Sequence, residues 1–217
     1  MAPVYSAKDN KHIHELINVS QRLPKLIKGS DYVAPEAPEI TIRSWKMNEH
    51  KYYDVPSPFP TLARGLFTTE VDGGGNRSGR DKEYRIVIRG YDKFFNIGEV
   101  PWTTVRDFVS TENWPQLTLY LQWDSLEAHT AAPYTLSLKS NGCIIFISAL
   151  TPTKLLVTSK HSLGPVSGVA RSHSGVGEEW LHKHLEKAGR TTEQLAATLW
   201  EKNWTAISEV CLITTIV

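Results

Sequence analysis

The hydrophobic period of this chain changes once, and that change restricts the fold more than any single motif does. Through the middle, apolar residues alternate at strand spacing. In Tyr84-Arg85-Ile86-Val87-Ile88-Arg89, Tyr84, Ile86 and Ile88 share one face, while Arg85 and Arg89 point the other way. Residues 62–71 form a second such segment, and Asp72-Gly73-Gly74-Gly75-Asn76-Arg77-Ser78-Gly79 predicts a flexible connection between the two paired strands. This loop lacks a Gly-Lys-Ser/Thr ending and no helical pattern follows it, so a hairpin connection is preferred over a phosphate cradle. Residues 134–138, 143–150 and 155–159 read as three consecutive strands, with Leu136 and Leu138 on the core face and Ser140-Asn141-Gly142 as the tight reversal between the first two. In the last third, helical spacing takes over. Trp180, Leu181, His184 and Leu185 make one stripe that Gly189 stops; Leu195, Ala196, Leu199 and Trp200 make another, after the capping box Thr191-Thr192-Glu193-Gln194. Strands followed by helices predict an α+β fold, mainly antiparallel sheet with flanking helices.

The N-terminal part is less regular. Ile13, Leu16 and Ile17 predict a helix with Asn10 as a cap and Pro24 as a stop, and within 31–60 only 40–45 is strand-like. With 217 residues, 41% hydrophobic and 22% charged, the chain can bury roughly 70% of its unfolded surface without disulfides or a structural metal. The two cysteines, Cys143 and Cys211, form no disulfide framework and no four-ligand zinc site; Cys143 reads as a small buried apolar residue. A net charge of +1 rules out a polybasic coat, so any phosphate or RNA contact must come from a local cluster. No stretch matches a signal peptide or a membrane span, which predicts an intracellular, soluble protein of nucleus or cytoplasm.

The sharpest local feature is Lys139-Ser140-Asn141-Gly142 at a strand end. A lysine held there, beside a glycine that lets a ligand approach the backbone, suits a nucleophile. Its amine attacks only when neutral, so burial or neighbouring cations must lower its pKa. The same residues also make an ordinary hairpin turn. Other cations, Arg64, Lys93 and Lys160, sit at or near the ends of separate strands. Gathered at one sheet edge they would hold a polyphosphate; taken singly, each is an ordinary solvated charge.

Four segments occur in order: Ala63-Arg64-Gly65-Leu66-Phe67; Arg89-Gly90-Tyr91-Asp92-Lys93-Phe94-Phe95-Asn96-Ile97-Gly98-Glu99; Lys139-Ser140-Asn141-Gly142-Cys143-Ile144-Ile145-Phe146; and Ser159-Lys160-His161-Ser162-Leu163-Gly164-Pro165. Together they closely resemble the N-terminal ligase domain of fungal tRNA ligases, related to bacteriophage T4 RNA ligase 1. The resemblance begins near Trp45 and continues through Ala206-Ile207-Ser208-Glu209. It implies a covalent nucleotidyltransferase fold, incomplete here. It also implies an N-terminal segment over 1–44, the ligase unit over 45–209 and a tail without family counterpart over 210–217. Lys139 is implied to attack the α-phosphorus of ATP, forming lysyl–AMP and releasing pyrophosphate. AMP then passes to a 5′-phosphate RNA end, which a 3′-OH end attacks. Gly142 matches the motif glycine. Arg64, Lys93 and Lys160 match basic residues of the nucleotide pocket, with Asn96 and Glu99 as polar positions beside it. Phe94 and Phe95 are candidate pocket walls, although core packing is the preferred reading for at least one of them. The implied cofactors are ATP and Mg2+, with no complete protein ligand set for the metal; the implied partner is RNA (tRNA exon halves), with no membrane and no obligate protein partner evident.

Residues 105–122 look like an insertion between motifs, expected as a retained intron or a surface loop. The family continues beyond Glu209 into motifs that supply further glutamates and a lysine pair, so this chain is expected to be inactive or nearly so by itself. Two alternatives stay open. Another lysine nucleotidyltransferase, such as a DNA ligase or capping enzyme, would carry Asp where Asn141 stands. A non-catalytic RNA- or protein-binding fragment would bind without forming an adduct. The paired histidines His182 and His184 lie about 200° apart on a helix and cannot share one metal ion.

Overall fold

The computed structural model describes residues 6–54, 56–71, 82–96, 99, 123–138, 141–164 and 172–211. Helix α1 (Ala7–Arg22) leads into strands β1 (Ile27–Ala34) and β2 (Ala37–Met47), a short 3-10 turn (Glu49–Lys51), and strands β3 (Leu66–Val71) and β4 (Glu83–Arg89). Strands β5 (Cys143–Ala149) and β6 (Leu155–Ser159), helices α2 (His173–Lys187) and α3 (Thr192–Lys202), and strand β7 (Thr205–Val210) follow. The first four strands form an antiparallel meander in the order β1-β2-β3-β4, and the last three a second antiparallel sheet in the order β6-β5-β7. The architecture is α+β, as the change of period predicts.

Strand alternation sorts the apolar residues into three layers of core. Ile42, Phe67 and Ile88 of the first sheet meet Phe146 and Leu156 of the second. On the outer face of the first sheet, Leu16 of α1 packs with Ile27, Trp45 and Leu66. On the outer face of the second, Ile145, Ile147 and Ala149 pack with Leu199 of α3. The two sheets are also tied by a buried hydrogen bond, Ser148 Oγ to the Val87 carbonyl at 2.6 Å. Among the described residues, no helix is long and apolar enough to cross a membrane.

Several elements match the expected caps. Thr191 and Gln194 form the reciprocal capping box of α3, and Gly189 follows α2 at φ +62°. Elsewhere the fold corrects the sequence. Helix α1 is capped by Ser6, whose hydroxyl accepts from the Asp9 N–H, not by Asn10; the Asn10 side chain instead accepts from the Tyr84 N–H at 3.0 Å. The segment over 31–60 holds most of a long β1–β2 hairpin, not one isolated strand. A register shift in β3–β4 pairs Phe67 with Ile88 but Thr68 with Ile86, leaving Val87 as an extra residue. Ile86 therefore packs towards α1, and Ile88 packs between the sheets instead of sharing its face. Arg85 also turns inward. Burial lowers its pKa to about 10, and it donates to the Leu150 carbonyl at 2.5 Å and lies 5.0 Å over the Trp200 ring.

Residues 134–138 form no strand, and Leu136 and Leu138 are almost fully exposed, at 95% and 99%. The reason is topological. Both edges of β5 are taken, one by β6 and the other by β7, so the hairpin partner expected before β5 has no edge to pair with. The expected insertion over 105–122 lies outside the described residues, as do the glycine-rich loop over 72–81 and residues 212–217 of the tail.

Candidate functional site

The β3–β4 ladder runs on past both strands. The Gly90 N–H donates to the Gly65 carbonyl at 2.7 Å, the Arg64 N–H to Tyr91 at 2.9 Å and the Lys93 N–H to Leu62 at 3.0 Å. The first two segments of the resemblance thus lie side by side. Both close on the ring of Phe146 in the third. A Cβ on Gly65, which sits at φ +86°, would stand 2.3 Å from that ring. One on Gly90 would stand 2.9 Å from it and 2.0 Å from the Arg64 carbonyl oxygen. Only glycine permits this approach at either position. Four residues before Phe146, Gly142 packs against β7, and a Cβ there would meet the Val210 carbonyl at 2.6 Å and Glu209 at 3.0 Å.

The fourth segment enters through charge. Lys160, just after β6, donates its ammonium to Glu49 Oε1, and the guanidinium of Arg64 lies 3.8 Å from Glu49 Oε2. The Lys160 hydrogen bond, with the further charge of Arg64, holds the Glu49 carboxyl below the usual range. Two cations from different sheets therefore converge on one carboxylate. The turn that carries Lys160 is fixed by its neighbour, since the His161 carbonyl accepts from Ser44 Oγ at 2.8 Å and from the Tyr32 hydroxyl at 3.4 Å. Both ring nitrogens of His161 are buried without a hydrogen-bond partner among the described residues. Burial, and then the charges of Lys160 and Lys46, push its pKa down to about 4, so the imidazole is neutral at pH 7.

Lys93, Asn96 and Glu99 form a second group. The Lys93 ammonium donates to Glu99 Oε2 at 2.9 Å and to the Phe94 carbonyl at 2.6 Å, and lies 5.2 and 4.8 Å from the ring centres of Tyr53 and Phe95. Its side chain is only 9% exposed. Asn96 donates to Glu99 from its backbone at 2.7 Å and from its side chain at 2.8 Å. The Asn96 backbone N–H first, and then Lys93, lower the Glu99 pKa to about 2. Lys93 is thereby engaged within its own cluster: its carboxylate partner is Glu99, whereas Arg64 and Lys160 share Glu49. Phe95 packs on the core while Phe94 is exposed, which separates the two candidate walls.

Lys139 lies outside the described residues. Its motif partner Gly142 is beside Glu209, a residue that sequence reasoning did not single out; the pairing of β7 with β5 brings it there. Glu49 was also missed, because nothing in Asn48-Glu49-His50 marks it before the fold brings two cations to it. Among the described residues, no three His, Cys, Asp or Glu side chains gather as a metal site.

The sequence pattern of a family described as RNA ligase matches residues 62–215. The chain is 46% identical over 199 residues to tRNA ligase 1 of Schizosaccharomyces pombe, a match covering 85% of this chain and 22% of that protein. It is 32% identical over 207 residues to tRNA ligase of Candida albicans, covering 88% of this chain and 21% of that protein. The chain therefore spans about a fifth of the length of these curated relatives.

Proposed function

This chain belongs to the RNA ligase family, and from that membership we propose that it is the adenylyltransferase part of an ATP-dependent tRNA-splicing ligase, with a nucleotidyltransferase fold over 45–209. Lys139 Nζ attacks the α-phosphorus of ATP. A P–N bond forms, the bond to the bridging α–β oxygen breaks, and pyrophosphate leaves. AMP passes to the 5′-phosphate of one RNA end; the 3′-OH of the other attacks that phosphate, and AMP departs as the strand closes. Arg64 and Lys160 grip the phosphates and depress the pKa of the attacking amine. Lys93, Asn96 and Glu99 shape the adjoining wall, and Gly142, three residues on from the nucleophile in sequence, lets β7 pack closely against the motif. A divalent ion would travel with the triphosphate and its waters; no step here depends on a protein-held metal. A nuclear or cytoplasmic location belongs to the same reading.

The observation that supports this reading is convergence. The described residues of four segments scattered from 63 to 164 meet around one aromatic ring and one carboxylate, with Gly65 and Gly90 on Phe146 and Arg64 and Lys160 on Glu49. Isothermal titration of the chain with ATP and Mg2+ tests it. Arg64→Ala and Lys160→Ala are each expected to weaken ATP binding about tenfold or more, the scale of one lost charge-assisted contact. Equal ATP affinity in both variants and the parent would overturn the assignment.

A further inference from the structure

Lys28 of β1 and Lys46 of β2 stand directly opposite each other across the antiparallel ladder, a placement in which like charges repel. By alternation they share the face of Ile42 and Ser44, which meets the second sheet, yet both are exposed, so they lie beyond its rim. Among the described residues, no ion pair relieves either lysine, nor Lys25 just before β1. These three lysines and His50 line a cleft of about 450 Å³ that also includes Glu49. The cleft continues into the candidate site, because Glu49 is the residue that holds Arg64 and Lys160, and the charge of Lys46 reaches His161.

We propose that this cleft binds the phosphodiester backbone of an RNA strand, with Lys25, Lys28 and Lys46 on successive phosphates, and leads its end towards Lys160 and Arg64. The inference rests on the ligase reading for the strand's destination, but its contacts are separate from the ATP chemistry. Two features favour a nucleic-acid backbone over a protein partner. A pair of opposed lysines without counter-charge stabilises nothing within the fold and suits an external polyanion. The cleft also offers no large exposed apolar anchor, since Met47 is buried and its exposed side chains are mostly charged, whereas a protein interface needs such an anchor at its centre.

The test uses the whole 217-residue chain and a fluorescein-labelled, 5′-phosphorylated single-stranded RNA, followed by anisotropy at several NaCl concentrations. The triple variant Lys25→Gln, Lys28→Gln, Lys46→Gln is expected to bind about tenfold or more weakly and to lose about 2 from the slope of log K against log salt. Its ATP affinity stays at the parent value, and its thermal midpoint stays level or rises, because the Lys28–Lys46 repulsion is gone. A control triple on the helices, Lys183→Gln, Lys187→Gln, Lys202→Gln, keeps parent RNA binding. Parent-like RNA affinity and slope in the cleft variant would overturn the proposal. So would displacement of RNA by poly-glutamate as effectively as by unlabelled RNA of equal charge. If the parent chain binds RNA through these lysines but does not bind ATP, the ligase reading fails and the cleft survives.

Discussion

Lys160, at the end of the second sheet, donates its ammonium to Glu49, which lies just beyond the hairpin of the first. The pair is partly exposed, so it contributes at most about 1 kcal/mol to stability. Its larger effect is on what else the cations can hold. In the proposed site, a carboxylate standing between Arg64 and Lys160 would compete with an incoming phosphate.

Glu49→Gln is therefore expected to tighten ATP binding severalfold, the scale of one charge pair removed at about 4 Å in water, with little change in thermal stability. Titration calorimetry and a thermal melt on the same variant check both halves. Weaker ATP binding would show that Glu49 organises the two cations for the ligand.

Glu99 gives a pH prediction. Its folded pKa, about 2, lies below the ordinary value of 4.5, so the unfolded chain takes up its proton first as pH falls. The stability it contributes is complete above about pH 4.5 and is lost as pH drops towards 2. Melts of the parent between pH 6 and 2 should thus fall more steeply than those of Glu99→Gln, the two curves converging at the acid end. Parallel curves over that range would contradict the Asn96 and Lys93 contacts.

Gly90→Ala tests the packing that brings the segments together. The added methyl would meet both the Arg64 carbonyl oxygen and Phe146, so the extended β3–β4 ladder must shift. The expected cost is about 2 kcal/mol, lowering the thermal midpoint by roughly 5 °C. Gly189→Ala is the contrast. It has open space around its Cβ and suffers only from its positive φ, costing about 1 kcal/mol.

Period and capping were enough to read much of this fold. The α3 stripe, the Thr191 capping box and the β5–β6 pair stand where alternation and turn chemistry put them, whereas in α2 the stripe fails: Trp180 is exposed and Ser174, Val176 and Gly177 form the buried face. Strand β1 escaped because Lys28-Gly29-Ser30-Asp31 carries no apolar alternation. It is a strand because β2 pairs with it, with Asp31 held by Arg43 at 2.6 Å and Gly29 making room for Trp45. The strand expected over 134–138 failed for the opposite reason. Its local pattern is sound, but β7, far later in sequence, occupies the edge it would need. Register does the same to Ile88, where one extra residue at Val87 reverses the face. In the candidate site, Arg64, Lys160 and Gly142 stand out in the sequence through their motifs, and the fold brings Arg64 and Lys160 to one carboxylate. Glu49 and Glu209 do not stand out, since each matters only through a neighbour that the tertiary fold supplies.

The most direct measurement is to incubate the chain with α-labelled ATP and Mg2+, denature it, and map the label by peptide. An acid-labile AMP adduct, in small yield, is expected on the peptide containing Lys139. It is abolished by Lys139→Ala and reduced by Arg64→Ala and Lys160→Ala. Label that persists at the same level in Lys139→Ala, or that maps to another peptide, would contradict it.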